Sequence, residues 1–412
     1  MLPDGWRRCT LEDIAKVSSG GTPDRSRSDY WGGDIPWVTT GEIGNGPIYS
    51  TAEKITDIGL RNSAAKIFPA GTLLMAMYGQ GKTRGRIAAL SIDASTNQAC
   101  AAIIAAKNSS ADFLVHNLRA RYEEIRNLSN DGSQKNLSAG LIKSLPILLP
   151  PIPEQRKIAE ILTTWDAAIS AQERLIANAK RQKKALMQTL LPTGPNLPKK
   201  RLPGFEGEWA HTTLANAAQV IVSNVDKKSG EGEQPIRLCN YMDVYRADRI
   251  EADMPFMRAT ATAAQIRKFG LRVGDVLITK DSETPDDIAV PSYVASTAPD
   301  LVCGYHLAII RAKSEADGQF LKYYFERPTT QHFFASRANG ATRFGLTIGA
   351  IESAPITLPS PPEQRRIGEA IAIAELEIHR LLPIAEALRQ EKSALMQQLL
   401  TGKRRVRVEE AA

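Results

Sequence analysis

The chain has 412 residues, of which 43% are hydrophobic and 24% are charged, so it is long enough for two to four domains with good cores. It has no apolar run long enough to span a membrane and no signal-peptide segment at its start, which predicts a cytoplasmic protein. Four scattered cysteines argue against a disulfide framework or a zinc site, and the net charge of +7 favours, without requiring, a polyanionic partner.

Residues 1–152 read as a first globular domain. Its apolar runs at 73–77 and 101–104 are typical of strands, and they alternate with Gly, Pro, Asn and Asp. Leu114, Leu118, Tyr122 and Ile125 are spaced as one face of a helix. The glycines and Pro23 of the segment 19–33 predict a long polar loop. A mixed α+β domain follows from this alternation.

The loop 79–86 is rich in glycine and basic residues. It ends like a nucleotide-binding P-loop, but Ala76 stands where that motif requires its first glycine, so a nucleotide site is not expected. Arg and Gln side chains can read guanine and adenine by paired hydrogen bonds, and Lys can neutralise phosphate. Two interpretations therefore stay open here, a DNA-contacting loop and an exposed basic loop.

Residues 153–191 read as one long helix, and a second copy follows at 362–400. The tetrapeptide Pro-Glu-Gln-Arg at 153 recurs 209 residues later, and Ala-Leu-Met-Gln at 185 recurs at the same offset. Identical tetrapeptides in one register over more than thirty residues indicate a tandem duplication. A helix of roughly 38 residues is about 57 Å long. Pro383 lies within the second copy and is expected to kink it.

A 3.5-residue apolar repeat runs through both helices, which predicts a coiled-coil seam between them. An ordinary amphipathic core helix is the competing interpretation. The seam positions proposed to pack are Ile158, Leu162, Trp165, Ile169, Ile176, Leu186 and Leu190 in the first helix, and Ile367, Ile371, Ile378, Leu381, Leu388, Leu395 and Leu399 in the second.

The remaining segments complete the duplication. Residues 192–204 form a Pro-rich linker, 205–361 a second globular domain, 362–402 the C-terminal helix and 403–412 a tail with basic and acidic residues. The two globular domains match at offsets that drift from 203 to 209, and they have diverged far more than the helices. Basic triplets at 199–201 and 403–405 follow the two helices, either as charge clusters at the helix ends or as phosphate contacts.

The motifs of catalysis are not found. The five histidines lack metal-ligand spacing, and no nucleophile elbow or methyltransferase tetrapeptide occurs, so the sequence predicts neither a catalytic residue nor a metal site. Two copies of a unit without such motifs favour a binding protein.

The order of a globular domain, a Pro-Glu-Gln-Arg helix, a second globular domain and a second such helix resembles the specificity subunit of type I restriction–modification enzymes. The resemblance covers nearly the whole chain and is most specific at residues 149–158 and 358–367, with further support at 31–37, 79–86, 132–137 and 201–209. The second globular domain is the weaker match, because Lys280, Asp281 and Ser282 replace the glycine-rich basic loop of the first.

The resemblance implies an α+β fold with two target recognition domains separated by two long antiparallel coiled-coil helices, in a tandem duplication with pseudo-two-fold symmetry. Each domain would read one half of an asymmetric, bipartite double-stranded DNA site, and the helices would set a gap of at most about 17 base pairs. They would also dock two methyltransferase (M) subunits, with restriction (R) subunits joining the complex. S-adenosylmethionine, ATP and magnesium would be bound by those partners and not by this chain.

Side-chain chemistry and position together suggest the DNA-binding residues. In the first domain they are Gln80, Lys82, Thr83, Arg84, Arg86, Ser133, Gln134, Lys135 and Asn136, and in the second Lys280, Asp281, Ser282, Thr284, Arg337, Asn339 and Arg343. Two alternative functions stay open: an ATPase using the loop 79–83, and a stand-alone coiled-coil DNA-binding regulator.

Overall fold

The structure is a computed structural model that describes residues 2–44, 46–79, 82–128, 136–193 and 197–408. The chain divides into two compact units, the first formed by residues 1–173 with 383–412 and the second by residues 174–382. The division crosses both long helices, so each unit contains a globular part and parts of both helices. Within the described residues no helix combines the length and apolarity that a membrane span needs.

The first globular part alternates short strands with short helices. Its elements are β1 (Arg7–Thr10), β2 (Ala15–Ser19), β3 (Trp31–Val38), β4 (Glu53–Ile55), α1 (Asp57–Arg61), β5 (Leu73–Ala76), β6 (Ile87–Ala89), β7 (Ser95–Thr96), β8 (Cys100–Ala105), α2 (Ala111–Ala120), α3 (Tyr122–Asn127), α4 (Ala139–Lys143) and β9 (Pro146–Leu149). They form an antiparallel sheet in the order β2-β8-β5-β6, a smaller sheet β4-β3-β7, and a ribbon of β1 with β9.

The second globular part follows the long helix α5 (Ile152–Leu190) and precedes the long helix α12 (Pro361–Leu399). Its elements are β10 (Ala210–Thr213), α6 (Leu214–Ala217), β11 (Ala218–Val222), β12 (Gln234–Cys239), α7 (Tyr241–Arg246), β13 (Arg249–Ile250), β14 (Met257–Ala261), α8 (Ala263–Phe269), β15 (Val276–Thr279), β16 (Asp281–Ser282), β17 (Pro291–Val294), β18 (Leu301–Cys303), β19 (Leu307–Ala312), α9 (Gly318–Phe325), α10 (Pro328–Ala335), β20 (Phe344–Gly345), α11 (Ile348–Glu352) and β21 (Pro355–Leu358).

The sheets of the second unit repeat those of the first. The order β11-β19-β15-β17 corresponds to β2-β8-β5-β6, with β13 added at the edge; β14-β12-β18 corresponds to β4-β3-β7, and β10 pairs with β21 as β1 pairs with β9. Strand directions agree as well, because β3 pairs antiparallel with β4 and parallel with β7, and β12 does the same with β14 and β18. The predicted α+β fold and tandem duplication are confirmed.

Local predictions differ from the structure in two places. The segment predicted as loop up to Gly33 is wrong at its end, because residues 31–33 already belong to strand β3, which pairs with β4. The helix predicted across 114–125 is broken at Arg121 into α2 and α3. Helix α12 contains Pro383, as expected, and the kink expected at this proline stays a prediction.

The two ends of each long helix contribute to different cores. In the first unit, Ile158 and Leu162 near the start of α5 and Leu399 at the end of α12 belong to the hydrophobic core of the globular part. In the second unit, Ile367 and Ile371 of α12 lie in the core with Leu190 of α5. Burial of these side chains stabilises each helix end on the globular part next to it.

The burial pattern along both helices follows the 3.5-residue repeat. Every predicted seam position in α5 and α12 is buried or half-buried, while at least one of the two positions directly flanking most of them is exposed. In the first unit Lys392 binds Asp166 at 2.6 Å and Arg389 binds Glu173 at 2.5 Å. The residue number falls in one helix as it rises in the other, so the helices are antiparallel, as predicted.

His116 lies beside this seam in the first unit. Its side chain is only 3% exposed, its Nε2 contacts Thr163 Oγ1 at 3.1 Å, and its Nδ1 lies 3.8 Å from Asp166. Burial lowers the pKa of His116 to about 4, and the nearby Lys392 adds to the effect while Asp166 opposes it. The imidazole is therefore neutral in the folded protein at neutral pH.

We expect the first unit to lose stability as the pH falls from about 6.5 to about 4. In this range the unfolded chain protonates His116 while the folded chain does not, so protons favour unfolding. The interval corresponds to about 3 kcal/mol. Urea unfolding at a series of pH values should show a shallower slope for His116→Gln than for the wild type, and equal slopes would contradict the assignment.

Candidate nucleic-acid interface

Four of the predicted DNA-binding residues of the first unit lie in the connection between β5 and β6. Lys82, Thr83, Arg84 and Arg86 belong to a turn whose ends are joined by the bonds of Gly85 N–H to Ala76 O and of Ala76 N–H to Arg86 O, both at 2.9 Å. The chain returns as a strand and not as a helix, so the strand–loop–helix context of a P-loop is missing here.

A hydrogen bond from a neighbouring helix fixes the turn, and polar side chains of the turn lie at its surface. Tyr122 donates from its hydroxyl to Lys82 O at 2.6 Å, and Lys82 is exposed. Arg84 Nε is buried and has no hydrogen-bond partner among the described residues. Leu137 N–H donates to Met77 O at 3.0 Å, which places Asn136 close to the turn. Gln80, Ser133, Gln134 and Lys135 lie outside the described residues.

The second unit also brings its two predicted segments together. The short strand β16, which contains Asp281 and Ser282, pairs with β20, and Leu346 N–H donates to Lys280 O at 2.9 Å. The structure therefore places the predicted residues 280–284 against the loop 337–345. Ser282 is buried and its hydroxyl accepts the Thr284 N–H at 3.3 Å, so it holds the loop together instead of presenting a free polar group.

The other predicted residues of this unit are exposed. Thr284, Arg337, Asn339 and Arg343 all lie at the surface. The Arg337 guanidinium stacks on the Phe333 ring at 3.6 Å, which orients it.

Sequence reasoning missed four residues beside these loops. Tyr78 and Gln98 in the first unit and Tyr305 in the second are exposed, and His306 lies next to Tyr305 with its ring against Asp281. They belong to no motif, and an exposed aromatic cannot be recognised from a single sequence, so no signal in the chain could have found them.

The repeated Pro-Glu-Gln-Arg motif has a structural role that its sequence did not disclose. In the first unit Arg405, from the segment after α12, forms a two-pronged ion pair with the buried Glu154 at the start of α5, with contacts of 3.3 and 2.9 Å. In the second unit Arg201, from the segment after α5, binds the buried Glu363 in the same way at 3.0 and 2.6 Å. One member of each basic triplet is therefore used within the protein.

The glutamine side chain of the motif also forms hydrogen bonds within its own unit. Gln155 accepts the Ser110 N–H at 2.8 Å and donates to Pro150 O at 2.8 Å and Asn108 O at 3.3 Å. Ser110 is the N-cap residue of α2. The side chain thus joins the helix start, the preceding strand end and the N-terminus of α2.

A buried ionic cluster occupies the second unit at the position that Lys392 and Asp166 hold in the first. Glu375 accepts from Lys183 and Lys322, each at 2.5 Å, and from the Tyr323 hydroxyl at 3.0 Å. The Lys322 side chain is fully buried. Burial raises the pKa of Glu375, but the two lysines outweigh it and leave this pKa below its ordinary value.

The oxygen and nitrogen atoms of Asp248, Glu375 and His379 lie within 4.8 Å of one another. Glu375 already binds two ammonium groups, which would repel a cation, so this group does not make a convincing metal site.

Comparison with known proteins supports a class assignment. Residues 3–181 match the family described as type I restriction modification DNA specificity domain. The MjaIX specificity subunit of Methanocaldococcus jannaschii is 30% identical over 46% of this chain and 43% of its own length. The EcoKI specificity subunit of Escherichia coli is 20% identical over 91% of this chain and 84% of its own length. The first of these matches spans less than half of the relative.

Solved structures agree on the fold. The S subunit of the type I restriction–modification system from M. genitalium superposes with a TM-score of 0.61 at 13% identity and covers 96% of both chains. A structure of a type I system, described in terms of complex assembly and conformational transition, gives a TM-score of 0.54 at 19% identity over 98% of this chain.

Residues 3–181 thus contain a type I restriction modification DNA specificity domain, and over most of its length the chain is similar to type I specificity subunits.

Proposed function

We propose that the chain is the DNA-reading, non-catalytic subunit of a type I restriction–modification enzyme, and that it recognises an asymmetric bipartite site in double-stranded DNA. The observation that carries the proposal is the contrast within the duplicated unit. Helix-end residues such as Glu154 and Glu363 repeat with the same ion pairs, while the exposed loops carry different side chains. Two domains that share one fold but carry different exposed loops are suited to two different DNA half-sites.

The long helices are suited to a spacer. Each has 39 residues, or about 58 Å at ~1.5 Å per residue. Leu175, Ile373, Leu376 and Leu382 are exposed on the helices, with Ile373 at 69%. Exposed apolar side chains at this density support docking of partner proteins, for which methyltransferase subunits are the candidates.

The chemistry would then lie on the partners. The methyltransferase subunits would bind S-adenosylmethionine and methylate adenine, and restriction subunits would use ATP and magnesium. The buried ionic cluster of Glu375 with Lys183 and Lys322 is engaged in packing within the second unit, which is compatible with a binding role for this chain.

Methylation mapping tests the proposal. The chain is combined with its methyltransferase partner and a DNA library, and methylated adenines are located by sequencing. We expect one split site with two unlike halves and a fixed gap. A continuous ungapped site would contradict the spacer, and tight specific binding by the chain with no need for a methyltransferase would favour a stand-alone regulator.

A further inference from the structure

The same backbone junction occurs where the central strand of each unit leaves its sheet. In the first unit, Met77 follows β5, and its N–H donates to Ala99 O at 2.9 Å while its carbonyl accepts from Leu137 N–H at 3.0 Å. Three separate parts of the chain therefore meet at Met77. Tyr78, the next residue, is 42% exposed, and Gln98 is exposed beside Ala99.

The second unit repeats these bonds with other side chains. Lys280 follows β15, its N–H donates to His306 O at 2.8 Å, and its carbonyl accepts from Leu346 N–H at 2.9 Å. The next residue is Asp281, and Tyr305, which precedes His306, is 49% exposed. Because the main-chain bonds coincide, Asp281 and Tyr305 occupy the places of Tyr78 and Gln98.

The divergence at this junction contrasts with the helix ends. There, Gln155 and Gln364 make the same three hydrogen bonds in both units. Where both units need the same internal hydrogen bonds, the same side chains are therefore found in both. At the junction the scaffold is kept and the exposed side chains are all different, as expected if they contact different ligands.

In the second unit these side chains are fixed in place. Lys280 Nζ binds Asp281 Oδ1 at 2.9 Å, and His306 Nδ1 contacts Asp281 Oδ2. The Tyr305 and His306 rings lie 3.8 Å apart between centroids. His306 has a φ of +73°, a conformation that costs a non-glycine residue free energy and is concentrated at functional sites.

We propose that Asp281, Tyr305 and His306 determine which bases the second unit accepts, and that Tyr78 and Gln98 do so in the first. This inference rests on the proposed function. A carboxylate accepts hydrogen bonds from the amino group of cytosine or adenine, whereas a lysine or a histidine N–H donates to the purine N7 or the guanine O6. Lys280 and His306 orient the carboxylate, and the Tyr305 ring adds an apolar face for a thymine methyl group.

Half-site mapping of variants tests the inference. The chain, combined with its methyltransferase partner, is offered a library randomised in both halves of the wild-type site. We expect Asp281→Asn and the double variant Tyr305→Gln with His306→Ala to change the base preference of the second half-site at least tenfold. The base preference of the first half-site and the length of the gap should not change. Gln98→Ala should instead change the base preference of the first half-site and leave the second as it is. Arg258→Ala, which changes an exposed residue on β14, is the matched control and should change neither.

The outcomes separate the two proposals. A wild type without a split site overturns the proposed function. A split site with unaltered preference in the variants, or with an equal loss on all sequences, overturns only the roles of these residues. Should the double variant fail to fold, Asp281→Asn and Asp281→Glu decide the question, since both keep the backbone junction.

Discussion

Replacing Glu375 by Ala is expected to destabilise the second unit by roughly 3–5 kcal/mol, because it removes the more deeply buried of the two carboxylates that Lys183 and Lys322 share. Lys322 is fully buried and the Lys183 side chain is 15% exposed, so water cannot replace the lost carboxylate. Glu326 would remain as an acidic partner of both lysines, and Asp248 would remain 3.8 Å from Lys322. Glu375→Gln keeps an acceptor for Tyr323 but not the charge, and should cost nearly as much.

The first unit offers the matched control. Asp166 stands at the equivalent position and binds Lys392, but its side chain is 41% exposed, so Asp166→Ala should cost no more than about 1 kcal/mol. Amide hydrogen exchange read by mass spectrometry separates the units. Peptides from α9 and from residues 361–382 should lose protection in Glu375→Ala, while those of the first globular part should not. Equal effects of the two substitutions would contradict the dominant role of burial.

The sequence was sufficient for the architecture wherever identical residues recur at a fixed offset. The repeated tetrapeptides predicted two helices of equal length, and the heptad predicted the covered stripe from Ile158 to Leu190. Both rest on local periodicity, which a sequence displays directly. The strand Leu73–Ala76 was recognisable for a similar reason, because its fully apolar run is bounded by turn residues.

Local sequence patterns could not predict contacts between residues that lie far apart in the chain. Glu154 lies in the first turn of α5, where a carboxylate suits the helix dipole, and nothing local in the sequence shows that Arg405, 251 residues later, binds it. Lys183 and Lys392 interrupt the apolar repeat, and each binds a carboxylate of the other helix. The candidate nucleic-acid interface was the least predictable part, since exposed loop residues such as Tyr305 follow no periodic pattern.

Replacing Gln364 by Leu is expected to cost about 2–5 kcal/mol, because three main-chain groups lose their partners at once. Gln364 accepts the Asp317 N–H at 2.9 Å and donates to Glu315 O and Pro359 O, each at 2.8 Å. Its side chain is fully buried, and Asp317 is the N-cap of α9. A leucine of similar volume fills the space and satisfies none of these groups.

The duplication supplies its own test of this prediction. Gln155→Leu should destabilise the first unit as Gln364→Leu destabilises the second, because the bonds are equivalent. The next residue of each motif, Arg156 or Arg365, is exposed, so its replacement by Leu should change stability by no more than about 0.5 kcal/mol. Urea unfolding of the four variants compares them directly. Equal losses of unfolding free energy for the glutamine and arginine variants would contradict a structural role for the hydrogen bonds of the glutamine. The repetition of the motif would then point to a role of the exposed arginines in partner binding.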